Sequence, residues 1–116
     1  MHAGDHPVYP DCRPTFVSLF SQTMQIANEG FLKPAFTVEA PFVHMTKAEI
    51  IRVGYSLDRM VDYSKTWSCY KGGDTHCGRC STCVERAEAF NIAGHRDPTV
   101  YADGEFWRTV TGQEVL

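Results

Sequence analysis

The chain has 116 residues and a formal net charge of -3, with 43% hydrophobic and 22% charged residues. That length suits one domain or a portion of a larger protein, and the mild acidity argues against nucleic acid or an anionic membrane as partner. No apolar run approaches the ~20 residues of a membrane span. Met1-His2-Ala3-Gly4-Asp5 is unlike a secretory leader, so a reducing cytoplasm is expected and disulfides are not.

Residues 1–11 carry Gly, His, Asp and Pro and read as loop. In Pro10-Asp11-Cys12-Arg13-Pro14, Asp11 or Cys12 could cap a helix with Pro14 in its first turn. Phe16, Leu19, Phe20, Thr23, Met24 and Ala27 then recur at helical spacing. Asn28-Glu29-Gly30 ends that helix, with Gly30 as a left-handed cap. Phe36-Thr37-Val38-Glu39-Ala40 alternates apolar and polar before Pro41 and reads as a short strand. Thr46-Lys47-Ala48-Glu49 has the form of a capping box, opening a helix with Ile50, Ile51 and Val53 that ends near Gly54. Residues 55–68 read as turn and loop. Thr82 and Glu85 suggest a second capping box, before a helix with Val84, Ala87, Phe90 and Ile92 that Gly94 closes. Asp97-Pro98-Thr99 and a polar tail with Phe106 and Trp107 follow.

Between the last two helices lies the strongest chemical signal. Cys69, Cys77, Cys80 and Cys83 fall in the spacing C-x7-C-x2-C-x2-C. Four thiolates can close a tetrahedral shell around one zinc ion and leave no position for substrate. Zinc is preferred over two disulfides or four unrelated thiols, and its role would be structural. Gly72, Gly73 and Gly78 suit a loop whose amides turn toward sulfur. Lys71, Arg79 and Arg86 could offset the charge of such a site, or be ordinary surface cations. His76 could replace one thiolate, although four cysteines already suffice.

Other polar residues are open to two readings. Asp11 and Arg13, bracketed by prolines, could hold a polar ring or a carboxylate, or be a cap beside a surface arginine. Lys47, in the first turn of its helix, sits where the dipole disfavours a cation, which suggests an anionic partner or a solvated side chain. Thr66 and Ser68 crowd the first cysteine together with Trp67 and Tyr70. The aromatics could stack on a flat base or simply shield the metal. Cys12 reads as a small buried apolar residue. His2, His6, His44 and His95 show no metal or triad spacing. Gly72-Gly73 lies inside the metal loop, poorly placed to cradle phosphate, and no nucleotide-binding loop is visible.

Taken together, Tyr9-Pro10-Asp11-Cys12-Arg13-Pro14, Thr46-Lys47-Ala48-Glu49-Ile50, Thr66-Trp67-Ser68-Cys69-Tyr70, Cys77-Gly78-x-Cys80-x-x-Cys83 and Asp97-Pro98-Thr99 resemble the 7-cyano-7-deazaguanine synthase (QueC) family. The order and spacing match along residues 1 to about 101. Residues 102–116 form a tail without assignment.

The resemblance implies a C–N ligase of queuosine biosynthesis. ATP would activate 7-carboxy-7-deazaguanine, ammonia would give the amide, and a second activation would dehydrate it to the nitrile. The implied fold is α/β, the C-terminal part of an adenine-nucleotide α-hydrolase-like parallel sheet flanked by helices, with a four-cysteine zinc loop at 69–83. Asp11, Arg13, Lys47, Thr66 and Ser68 become candidates for the base pocket, with Trp67 or Tyr70 stacking on the deazapurine. The family's phosphate loop, Ser-Gly-Gly-x-Asp-Ser, is not in this chain, so only the C-terminal portion is expected here, inactive alone. Met1 could be a true start or a truncation. The implied partners are the deazapurine, ammonia, a separate N-terminal half and a second copy in a homodimer. The alternative is a zinc-stabilised binding module that has lost the reaction.

Overall fold

The computed structural model describes residues 1–31, 33 and 36–114. The chain divides into two compact units, Met1–Lys47 and Ala48–Leu116. Val115 and Leu116, the end of the unassigned tail, lie outside the described residues.

The first unit opens with a 3-10 turn, Ala3–Asp5, that its own side chains cap. The Asp5 carboxylate accepts from the His2 amide at 2.8 Å, and His2 Nδ1 accepts from the Gly4 amide at 3.1 Å. A second 3-10 turn, Pro10–Cys12, leads into helix α1, Pro14–Ala27. Pro14 is the first helical residue, where its missing N–H costs nothing. A proline also forces the residue before it into extended backbone. Arg13 therefore occupies the cap position, with φ -86° and ψ 149° and no side-chain cap bond. The expected caps, Asp11 and Cys12, lie in the preceding turn.

Helix α1 turns Ser21 inward, buried, beside half-buried Val17 and Met24. The Ser21 hydroxyl accepts from the Val38 amide at 3.0 Å. The Gln25 side-chain amide donates to the Phe36 carbonyl at 2.7 Å. These bonds explain the fate of the expected strand at 36–40, which does not form. A strand needs a neighbouring strand to take its backbone ladder, and here side chains of α1 take those groups. After Asn28, the backbone turns at Gly30, whose φ is +83°.

The second unit is built on three helices. Helix α2, Lys47–Ser56, starts immediately after Thr46. It runs two residues past Gly54, the expected stop. Gly54 has a packing role: a Cβ there would lie 2.1 Å from the Tyr63 hydroxyl oxygen. That hydroxyl donates to the Ile50 carbonyl at 3.2 Å, inside the helix. Tyr63 belongs to a short 3-10 turn, Tyr63–Lys65.

Helix α3, Ser81–Ala93, buries Cys83, Arg86, Ala87, Ala89 and Phe90. Ala48 and Ile51 of α2 pack on Ala89 and Phe90, with Tyr55, Tyr63 and Ala93 around them. Tyr63 meets Phe90 edge-on at 5.3 Å. Gly94 closes α3 at φ +76°, as expected. Arg52 of α2 donates to the Ile92 and Ala93 carbonyls at the same helix end, satisfying groups that have no partner within the helix. Helix α4, Phe106–Thr111, buries Trp107 and packs on α3, so part of the unassigned tail contributes to this core.

The expected α/β sheet is overturned. The described residues form helices, turns and loops, and no strand occurs among them. Their backbone pairing of β type is a single isolated parallel bridge between His76 and Tyr101.

Candidate metal centre

The four cysteines come from two elements of the second unit. Cys69 and Cys77 lie in the loop before α3, Cys80 is the N-cap of α3, and Cys83 lies within its first turn. Their sulfurs all lie within 4.8 Å of one another. A tetrahedral ion bound at about 2.3 Å sets its sulfur ligands about 3.8 Å apart. The Cys69–Cys80 sulfur separation is 4.0 Å, so the cluster fits one ion after a small contraction.

The loop aims backbone amides at sulfur. The Cys77 amide donates to Cys69 Sγ at 3.4 Å. The amides of Arg79 and Cys80 donate to Cys77 Sγ at 3.4 and 3.3 Å. This fold-back requires the left-handed Gly78, φ +76°, a conformation costly for residues with a Cβ. A Cβ at Gly78 would also lie 1.8 Å from the Asp103 carbonyl oxygen. The helix starts earlier than the expected cap at Thr82: Cys80 holds that position, and its carbonyl accepts from the Cys83 and Val84 amides, each at 3.0 Å. The Thr82 hydroxyl lies instead 3.3 Å from Cys80 Sγ.

The thiols share protons unevenly. Burial opposes ionisation of Cys80, but the Thr82 hydroxyl and the amides of Tyr70 and Cys83 outweigh it and bring the thiol down to about 6. Burial, then the neighbouring Cys80 and Cys69, pushes Cys83 up to about 12. Four sulfurs this close cannot all be anionic in a buried site without a cation. A divalent ion would remove that conflict and let every sulfur bind as thiolate.

Around the cluster runs a network centred on Arg86, which is 5% exposed. Its Nε donates to the Thr99 hydroxyl at 2.7 Å, Nη1 to the Ser68 hydroxyl at 3.2 Å and Nη2 to the Tyr63 carbonyl at 2.9 Å. Asp97 lies 3.8 Å from Nε and accepts from the Thr99 amide at 2.9 Å and the Tyr101 hydroxyl at 2.6 Å. Burial and this carboxylate together raise the Tyr101 phenol above its ordinary value. One buried cation thus ties the segment before Cys69, the helix after Cys83 and the loop at 97–101 into one frame.

His76 is not in the cluster. Its Nε2 accepts from the Ser68 amide at 3.1 Å, and its ring lies 4.1 Å from that of Trp67. Burial and the nearby Arg86 charge lower its pKa, against the pull of Asp97, which suits a neutral acceptor. Arg79, a candidate counter-charge for sulfur, instead pairs with Asp103 at 2.9 Å. The Asp103 carboxylate also accepts from the Glu105 and Phe106 amides at 3.2 and 3.1 Å, at the start of α4.

Residues 1–94 match the family model described as queuosine biosynthesis protein QueC. The chain belongs to the QueC family. It is 52% identical over 108 residues to the 7-cyano-7-deazaguanine synthase of Paracoccus denitrificans (strain Pd 1222), covering 93% of this chain and 45% of the relative. It is 50% identical over 111 residues to the synthase of Brucella ovis (strain ATCC 25840 / 63/290 / NCTC 10512), covering 96% of this chain and 46% of the relative. The chain therefore spans slightly less than half the length of these relatives. No solved structure gave a match. Among the described residues, no helix is long and apolar enough to cross a membrane.

The five candidate pocket residues of this QueC-family chain fall in both units. In the first, Asp11 is exposed in the turn before α1, and Arg13 Nε donates to the His6 carbonyl at 3.0 Å, fixing the guanidinium beside that turn. Lys47 is half-buried and opens α2. In the second, Thr66 donates to the Tyr63 carbonyl at 2.9 Å, and Ser68 joins the Arg86 network. Trp67 and Tyr70 are 49% and 69% exposed, the indole N–H donating to the Cys69 carbonyl at 2.8 Å. Sequence reasoning missed Asp103 and the central place of Arg86. Arg86 did carry a signal, being three residues after Cys83 on a helix whose ligand face must be buried.

Proposed function

We propose that this chain supplies the metal-bearing portion of a 7-cyano-7-deazaguanine synthase. The observation that carries the reading is the closed four-cysteine cluster lying inside the region matched by the family model. The ion held by Cys69, Cys77, Cys80 and Cys83 is zinc, because four thiolates in a closed tetrahedral set suit its preferences. When bound it cross-links the loop to α3, and it takes no part in the reaction.

In this reading the complete enzyme activates 7-carboxy-7-deazaguanine with ATP, takes ammonia to form the amide and dehydrates the amide to the nitrile. Asp11, Arg13, Lys47, Thr66 and Ser68 help to line the pocket. Arg13 and Lys47 offer cations to a carboxylate or phosphate, and Asp11 accepts from a guanine-like edge. The 116 residues contain no Ser-Gly-Gly-x-Asp-Ser phosphate loop, so ATP binds through another part of the enzyme. That same absence favours the second reading, a zinc-stabilised binding module without the reaction.

The test is ATP-dependent nitrile formation from the carboxylate by the zinc-loaded chain, alone and with a supplied portion bearing the phosphate loop. Turnover by the pair and none by either part supports the synthase. A pair that stays inactive with zinc bound favours the binding module, and turnover by the chain alone contradicts the assignment of ATP binding.

A further inference from the structure

Helix α1 has the composition of a buried helix and an exposed face. No charged residue occurs from Pro14 to Ala27. Ser21 faces inward with Val17 and Met24. At about 100° per residue, Phe16, Leu19, Phe20 and Ile26 form a stripe that runs from the flank of that inner face, at Phe20, round to its opposite side, at Leu19 and Ile26. They are 43%, 58%, 43% and 74% exposed. The Phe16 and Phe20 rings are stacked, 5.7 Å apart and 9° from parallel, and form a flat ledge. Apolar side chains on both sides of an uncharged helix are the pattern of an element packed between two layers. Only one of those layers is present within the first unit.

A second observation bears on the other layer. The matched region is 45% of the Paracoccus denitrificans relative, so more than half of that polypeptide has no counterpart here. A second copy of this chain is a poorer occupant. The stripe offers roughly 400 Å² of apolar surface, and two copies meeting through it fall well below the ~1,600 Å² of a stable interface. The unmatched portion is longer than this chain and can cover the stripe while adding contacts elsewhere.

We propose that the α1 stripe of Phe16, Leu19, Phe20 and Ile26 is the docking surface for the portion of the family's polypeptide that this chain does not match, whether joined to it or supplied separately. The inference rests on the reading of the chain as one portion of the synthase. The stripe lies on α1, directly after the turn that carries Asp11 and Arg13, so docking there would bring the second portion beside those two candidates.

The experiment co-expresses the full 116-residue chain, zinc-loaded, with the unmatched portion of the Paracoccus denitrificans relative, and measures co-purification and affinity. The wild-type chain should hold that portion one to one. Leu19→Asp should weaken the complex roughly tenfold or more, since it puts a charge at the centre of an apolar contact. Val100→Asp, at a residue of the second unit that is 75% exposed, should leave affinity unchanged. Unaltered zinc content and unfolding midpoint in both variants would show that the fold survives. The proposal is overturned if the wild-type chain does not hold the portion, if Leu19→Asp binds as tightly as wild type, or if the stripe serves only self-association. A complex that forms through this face but makes no nitrile leaves the docking standing and removes the functional reading. Nitrile formation undiminished by Leu19→Asp does the reverse.

Discussion

The two units solve the problem of stability in opposite ways. The second has a core of Ala48, Ile51, Ala87, Ala89, Phe90 and Trp107, and it adds a four-cysteine cluster and a buried arginine network. In the first, Val43 is the sole buried apolar residue among those described, while Phe16, Leu19, Phe20 and Ile26 are exposed. Small units with little buried surface need a cross-link or a partner. The second unit carries four thiols placed for such a cross-link. The first leaves its apolar stripe exposed.

The largest expected effect breaks the self-sufficiency of the second unit. Cys83→Ser removes a thiolate from the closed shell, and metal affinity and folding are coupled in such sites. Metal analysis should show loss of stoichiometric zinc, and circular dichroism should show loss of the cooperative melt. An intact melt without metal would mean that the hydrophobic core suffices. Next comes the arginine frame. Arg86→Met leaves the half-buried Asp97 without its cation and Ser68 and Thr99 without their donor, at a cost of about 3 kcal/mol. Urea denaturation of the zinc-loaded chain measures it. Gly54→Ala should cost about 1–3 kcal/mol, because Tyr63 must leave the surface of α2. Near-UV circular dichroism would report the displaced tyrosine.

A smaller effect sharpens the picture of how the tail holds the metal loop. The Arg79 guanidinium, followed by the Glu105 and Phe106 amides, holds the Asp103 carboxyl below the usual carboxylate range. The sign follows from linkage: this stabilisation is complete above the ordinary carboxylate pKa and fades as pH falls through the lowered value. Asp103→Asn should therefore destabilise near neutral pH and have little effect in strong acid. Arg79 is largely exposed, so solvent screening keeps the loss small. The smallest effect belongs to the first unit. Leu19→Ser in the chain alone should move stability by no more than about 0.5 kcal/mol, whereas Phe90→Ala should cost about 3–5 kcal/mol. Equal effects at the two sites would erase the contrast between the units.

These contrasts also mark what could be read from the residues alone. The four-cysteine cluster was legible because C-x7-C-x2-C-x2-C brings its sulfurs together through local geometry. Helix α1 was legible from its period, but its period does not say which side is covered, and the side with Ser21 turned out to be the inner one. The alternation at 36–40 resembled a strand because alternation reports which faces differ, not whether a neighbour exists. Val38 found the Ser21 hydroxyl instead. Gly54 looked like a helix stop because the Tyr63 ring that needs the space lies nine residues further on. Arg86 with Thr99, and Arg79 with Asp103, are contacts between distant positions that no local pattern encodes. The sheet was inferred from resemblance to a longer protein, and the described residues pack as helices.

Hydrogen exchange of the full 116-residue chain, with zinc bound and after chelation, tests the central contrast most directly. With zinc, the amides of α3 around Ala87–Phe90 should be the most protected in the chain, and chelation should collapse that protection. Helix α1 should exchange fast in both states, and slow only when the unmatched portion of a relative is bound. Protection of α3 that survives chelation, or α1 as protected as α3 in the chain alone, would contradict the account.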